Sequence, residues 1–327
     1  MKFARNRQSR RPSWYKYLIL LIFGLIITSA DYSSPLAYSA SASNQYFSKP
    51  SDNISSKAEQ NTLLVHTPGF PVQHTFGGSV DSVTAVAVGD MDGDTDLDIV
   101  AVNDISITAN PKKNFVHLND GKGNFNVTKP FGSSSELSTS VALGDIDADG
   151  DLDVVVGNYV TQQTLYQRST IYINDGKGNL QDSRVFGNPQ DHTYSVALGD
   201  MNGDGYIDIV SGNFGQLSMV YLNNGAGNFS NGLPFGDPTN QTYYVALGDL
   251  NGDGSLDIIL ADVYQNSFYL NDGQGNFRTN HTLGQPSDAT FSLAVGDIDN
   301  DSDLDIVTRD IIKVRIYRHQ SGVGVIA

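Results

Sequence analysis

The chain has 327 residues, a formal net charge of −16, no cysteine and 33 glycines. Without cysteine a disulfide framework is excluded, and the acidic balance argues against a nucleic-acid partner, which needs clustered Lys and Arg. A hydrophobic content of 39% is enough for a packed core, while frequent glycine points to many tight turns and an all-β chain.

The N-terminus reads as an export signal. Lys2, Arg5, Arg7, Arg10, Arg11 and Lys16 form a basic stretch, followed by an uncharged apolar run from Leu18 to Ala30. That run is short for a membrane span, which needs about 20 residues, and suits the apolar part of a signal peptide. Cleavage after Thr28-Ser29-Ala30 or within Ala37-Tyr38-Ser39-Ala40 fits the small-residue rule. Residues 1–30 are therefore expected to be a signal peptide, or a membrane anchor if uncleaved, the latter being the chain's sole expected membrane contact. Residues 31–61 are rich in Ser, Ala and Asn and are expected to be a linker. The folded domain is expected over 62–327, outside the cytoplasm: secreted, periplasmic or at the cell surface.

One segment then recurs five times: VAVGDMDGDTDLDIV from Val86, VALGDIDADGDLDVV from Val141, VALGDMNGDGYIDIV from Val196, VALGDLNGDGSLDII from Val245 and LAVGDIDNDSDLDIV from Leu293. The leading aspartates are spaced by 55, 55, 49 and 48 residues, a period typical of propellers and other repeat arrays. Between copies lie NDGKGNF from Asn119, NDGKGNL from Asn174, NNGAGNF from Asn223 and NDGQGNF from Asn271, read as hairpin turns because Asn/Asp-Gly accepts positive φ. Phe131-Gly132, Phe186-Gly187, Phe235-Gly236 and Leu283-Gly284 follow.

Each repeat thus predicts four antiparallel strands. The first two are small and aliphatic, as buried inner strands would be. The last repeat lacks its fourth strand, and Phe70-Pro71-Val72-Gln73-His74-Thr75-Phe76-Gly77 matches the fourth-strand segment Phe277–Gly284. The predicted fold is a five-bladed β-propeller whose N-terminal strand completes the C-terminal blade.

The loops follow D-x-[DN]-x-D-x-x-x-D and hold 21 of the 36 acidic residues. Such crowding repels itself unless cations enter. The candidate metal ligands are Asp90, Asp92, Asp94 and Asp98; Asp145, Asp147, Asp149 and Asp153; Asp200, Asn202, Asp204 and Asp208; Asp249, Asn251, Asp253 and Asp257; and Asp297, Asp299, Asp301 and Asp305. Position 7 of each loop would add a backbone carbonyl. All donors are hard oxygens, which suits Ca²⁺, so up to five Ca²⁺ are expected, one per repeat. An EF-hand is excluded: position 12 is Ala101, Val156, Ser211, Leu260 or Thr308 rather than glutamate, and the flanks are β-branched rather than helical. Asn300 and Ser302 replace the glycines of other copies, so the fifth loop is expected to be strained.

The GDxDGDxxxD core within VALGD, together with the Phe-Gly landmark, resembles the FG-GAP or VCBS-type repeat of integrin α-chain propellers and of many bacterial surface proteins. The resemblance covers about Phe70 to Tyr317. It implies a propeller with Ca²⁺ in the loop between strands 1 and 2 of a blade. Two departures stand out: integrin propellers have seven blades where five are counted here, and VALGD-like sequence replaces the "GAP" element.

A binding or adhesion module for a protein or carbohydrate is the expected function, with a structural component of a surface complex, or a glycan-active enzyme, as alternatives. Tyr194, Tyr243 and Phe291 share one repeat position with Thr84 and Thr139, and Tyr159, Phe214 and Tyr264 lie nearby in sequence. Aromatic platforms suit sugars or peptide side chains, although packing between blades is the simpler reading. The longer segments Asn103–Asn114 and Asn158–Ser169 are expected to bear specificity. A glycosidase needs two free carboxylates in a central pocket. Asp262 and Asp310 stand where the other repeats have Asn103, Asn158 and Asn213, which looks like a structural ring, so no enzyme is expected.

Overall fold

A computed structural model describes residues 83–103, 113–160, 167–277, 279–286 and 288–319. The chain divides into two units, Met1–Ser39 and Ala40–Ala327, and every described residue belongs to the second. The expected signal segment, the linker, the segment Phe70–Gly77, residues 104–112 of the first longer loop and residues 161–166 of the second lie outside the described residues. No helix among the described residues is long and apolar enough to cross a membrane.

The described structure is all-β. Sheet 1 contains β1 (Val83–Gly89), β2 (Asp98–Asn103), β3 (Asn114–Leu118) and β4 (Val127–Phe131). Sheet 2 contains β5 (Ser138–Gly144), β6 (Asp153–Asn158), β7 (Ser169–Ile173) and β8 (Asp182–Phe186). Sheet 3 contains β9 (Thr193–Gly199), β10 (Asp208–Asn213), β11 (Ser218–Tyr221) and β12 (Leu233–Phe235). Sheet 4 contains β13 (Thr242–Gly248), β14 (Asp257–Asp262), β15 (Asn266–Leu270) and β16 (Thr279–Leu283). Sheet 5 contains three described strands, β17 (Thr290–Gly296), β18 (Asp305–Asp310) and β19 (Val314–Tyr317). Neighbouring strands in each sheet are sequential and antiparallel. Each repeat is therefore one meander, as its turn signals require.

The second strands β6, β10 and β14 are buried at every residue and β2 at all but one, whereas β18 leaves Arg309 exposed. Their aliphatic runs are sandwiched between adjacent sheets. The first strands are only half-buried in part, with β1 the most exposed. First strands of consecutive sheets pack in series, β1 on β5, β5 on β9, β9 on β13 and β13 on β17, and no comparable packing joins β17 to β1 among the described residues.

Two contacts repeat at the junctions. The glycine ending a first strand receives an aliphatic side chain of the next sheet: a β-carbon at Gly89 would lie 2.7 Å from Leu152 Cδ1, and one at Gly199 would lie 2.5 Å from Leu256 Cδ1. The Phe-Gly landmark makes the second. Phe131, Phe186 and Phe235 meet Tyr172, Tyr221 and Tyr269 of the next sheet edge to face at 5.0, 5.3 and 5.3 Å, the favoured aromatic geometry. Gly132, at φ +71°, leaves room for the Tyr172 hydroxyl, which would lie 2.9 Å from a β-carbon there. Leu283 and Tyr317 share the corresponding cluster between sheets 4 and 5.

The outermost sheets have open counterparts of these contacts. Among the described residues, nothing lies within 4 Å of a β-carbon built at Gly296. Ile298 is 45% exposed, whereas its equivalents Met91, Ile146, Met201 and Leu250 are buried. On sheet 1, Val88 and Leu97 are exposed.

Candidate metal centres

Each acidic loop joins the first strand of a sheet to its second. The leading aspartate winds it. Asp90 accepts the N–H groups of Gly93 and Thr95 at 2.8 Å each. Asp200 and Asp249 do the same for Gly203 and Gly205 and for Gly252 and Gly254. Asp297 accepts Asn300 and Ser302, and Asp145 accepts Asp149 and Gly150. Backbone donors held on one carboxylate force the curl that brings positions 1, 3 and 5 to one side.

Positive φ falls on positions 4 and 6 of these loops. Glycine meets it in the third and fourth copies, at Gly203, Gly205, Gly252 and Gly254. Asn300 and Ser302 of the fifth adopt φ of 62° and 75°, which is the expected strain. The strain extends further than expected: Thr95 sits at φ 75° and Ala148 at 61°. Left-handed backbone costs a residue with a β-carbon about 1–2 kcal/mol, a cost borne in the first, second and fifth loops and absent from the third and fourth, where glycine stands at both positions.

The ninth position acts as an anchor as much as a candidate ligand. Asp98, Asp153, Asp208, Asp257 and Asp305 are fully buried. Asp208 accepts Met201 N at 2.8 Å and, from the turn after β11, Asn223 N at 2.7 Å. The other four make the same pair of bonds, with His319 in place of the asparagine in sheet 5. The turn asparagine also reaches backwards: Asn174, Asn223 and Asn271 donate through Nδ2 to Met91 O, Ile146 O and Met201 O in the preceding acidic loop at 2.8, 2.7 and 2.8 Å. Sequence reasoning missed this latch, which spans 70 to 83 residues.

The acidic groups converge. One carboxylate oxygen each from Asp90, Asp92 and Asp94 lies within 4.8 Å of the others, as do those of Asp145, Asp147 and Asp153 and of Asp297, Asp299 and Asp305. In the third and fourth loops Asn202 and Asn251 donate to Asp204 and Asp253 at 2.9 and 3.0 Å, so an amide hydrogen takes the place of a charge. Asp92 Oδ1 and Asp147 Oδ1 are buried without a hydrogen-bond partner. An unpaired buried carboxylate oxygen is costly, and a hard divalent cation would supply its missing partner. The donor set fits such an ion.

Protonation follows the crowding. Burial, then Asp94 and Asp98, hold the Asp92 carboxyl above its usual range. Burial pushes Asp153 and Asp208 up to about 6. Outside the loops, burial also pushes Asp262 up to about 6, although it accepts bonds from Thr242 and Asn240. A carboxyl whose folded pKa exceeds its unfolded one binds more protons when folded, so stability falls as pH rises through the interval. In EDTA the melting temperature is expected to be higher at pH 5 than at pH 7, the change falling between about pH 4 and about pH 6. In Ca²⁺ the slope is expected to reverse, because protons then compete with the ion. Thermal melts across this range in both conditions check the sign.

The alternative catalytic carboxylates are engaged. Asp262 Oδ1 accepts the Thr242 hydroxyl at 2.6 Å, and Asp310 pairs with Arg315 at 2.7 Å. At the opposite end of the first strands, Tyr194, Tyr243 and Phe291 are brought together with Tyr159 and Phe214 through ring contacts. Tyr264 is 49% exposed.

Repeated antiparallel meanders, each with an acidic loop between its first and second strands, define a propeller-like repeat protein. The FG-GAP-like repeat model matches residues 102–156, 159–211, 200–260 and 249–308. The chain belongs to the FG-GAP-like repeat family. No curated protein matches it. Among solved structures it is similar to an Agrocybe aegerita lectin studied for recognition of non-reducing terminal N-acetylglucosamine, at 23% identity and a TM-score of 0.41 over 60% of this chain and 50% of that one. It is also similar to BBS1N in complex with ARL6DN. The mercury-soaked crystal gives 13% identity, a TM-score of 0.47, and coverage of 73% and 66%; the lead-soaked crystal gives 10%, 0.44, 72% and 78%. The match thus spans half of the lectin and just under two thirds of the first BBS1N chain.

Proposed function

We propose that the chain is an exported, calcium-binding propeller of five blades that acts as a binding module for a protein or carbohydrate. The observation that carries the metal assignment is the pair of buried, unpartnered oxygens, Asp92 Oδ1 and Asp147 Oδ1, within convergent carboxylates. Family membership and the fivefold recurrence of the loop support it. Calcium would neutralise the crowding in each loop and hold the strained backbone, and the asparagine latches would pass that order to the next sheet. The role is binding rather than catalysis, since Asp262 and Asp310 are taken up by structural bonds.

In the five-bladed reading, Phe70–Gly77 supplies the fourth strand of sheet 5. Phe76-Gly77 would then meet His117, which stands in β3 where Tyr172, Tyr221, Tyr269 and Tyr317 stand in the other third strands. Leu97 would fill the open space at Gly296, as Leu152 does at Gly89.

Asp204→Ala tests the site assignment. It removes one carboxylate from one loop and leaves the others their own ligands, so calcium stoichiometry by titration calorimetry is expected to fall by one. An unchanged stoichiometry excludes that loop as a site.

A further inference from the structure

Every first strand carries a β-bulge at the same place. The pairing of β1 with β2 skips Thr84, and the equivalent pairs skip Thr139, Tyr194, Tyr243 and Phe291. A bulge frees one side chain from the alternation of the strand and re-aims it. In sheets 1 and 2 the bulged threonine is used locally: Thr84 Oγ1 donates to Ser138 O at 2.6 Å and Thr139 Oγ1 to Thr193 O at 2.7 Å, each in the next sheet. In sheets 3 to 5 the bulge presents an aromatic ring instead.

These rings form one continuous arc. Tyr159 meets Tyr194 at 5.2 Å, Tyr194 meets Phe214 at 5.1 Å and Tyr243 at 5.3 Å, and Tyr243 meets Phe291 at 4.9 Å. Tyr243 is buried, whereas Tyr159, Tyr194, Phe214 and Phe291 are only half-buried. The arc lies where the first strands begin, and the acidic loops lie where those strands end. Packing alone does not require it, because threonine closes the same junction in sheets 1 and 2.

We propose that this arc is the ligand site of the module and that it takes a neutral saccharide. The proposal rests on the binding-module reading and names its ligand class. A sugar ring presents an apolar C–H face that stacks on aromatic rings, matching the half-buried rings of Tyr159, Tyr194, Phe214 and Phe291. The arc rings carry no charge, and the net charge of −16 disfavours an acidic ligand.

The test is a printed array of neutral mono- and oligosaccharides, with Tyr194→Thr and Phe291→Thr beside the parent chain in Ca²⁺. Threonine is the residue the fold already holds at Thr84 and Thr139, so each variant should still melt cooperatively in Ca²⁺, at a temperature lowered by the lost ring contacts. The parent is expected to bind at least one neutral glycan saturably, and each variant to weaken that binding about tenfold or more. Failure of the parent to bind any neutral glycan, binding confined to acidic glycans or peptides, or undiminished binding by the variants overturns the proposal. A parent that melts in a calcium-dependent way yet binds no neutral glycan overturns this site alone and leaves the metal reading intact.

Discussion

Chelating calcium is expected to lower the melting temperature by at least about 10–20 °C. An ion that binds only the folded state stabilises it by about 2.7 kcal/mol when present at a hundred times its dissociation constant. Two emptied sites would therefore remove roughly 5 kcal/mol, and a domain of this size loses about 2–4 °C per kcal/mol. All five would exceed much of a typical net stability of about 5–15 kcal/mol. The structure explains why local loops should have a global effect. The buried ninth aspartate ties each loop to the turn after the third strand, and Asn174, Asn223 and Asn271 tie that turn to the preceding loop. The comparison is a melt in EDTA against one in millimolar Ca²⁺. Superimposable curves would remove the metal assignment.

Deleting residues 62–77 is expected to destabilise the domain far more than deleting residues 31–60. On the proposed closure the first segment is the fourth strand of sheet 5, and it covers β19, where Val314 and Ile316 are 66% and 56% exposed among the described residues. Burying Phe70 and Phe76 is worth roughly 3–6 kcal/mol. An uncovered edge also invites pairing between molecules. Both shortened chains, made without residues 1–30, can be compared by melting and light scattering in Ca²⁺. A 62–77 deletion that melts like the parent and stays monomeric would refute the closure and favour an open array.

Much of the described architecture was legible because the repeat prints the same local rules five times. The Asn/Asp-Gly turns, the aliphatic second strands and the end of each first strand at VALGD follow from neighbours a few residues apart. Strain at Asn300 and Ser302 was legible for the same reason, and Thr95 and Ala148 could have been found by asking where glycine was missing at positions 4 and 6. What stayed hidden lies between repeats. Nothing local shows that Asn174 reaches Met91, that Gly89 makes room for Leu152, or that Phe131 stacks on Tyr172. The ninth aspartate was read as one ligand among four because its backbone donors come from two separate segments. The aromatic positions were read mainly as packing between blades. Their ring contacts agree with that, and the half-exposed rings on bulged backbone carry the reading further.

The proposed assignment places one calcium ion in each acidic loop. Native mass spectrometry of the domain, exchanged into a volatile buffer with limiting calcium, counts the ions directly. A limiting species with five Ca²⁺ per chain is expected, falling to four in Asp204→Ala. A parent chain that remains metal-free while folded would contradict it.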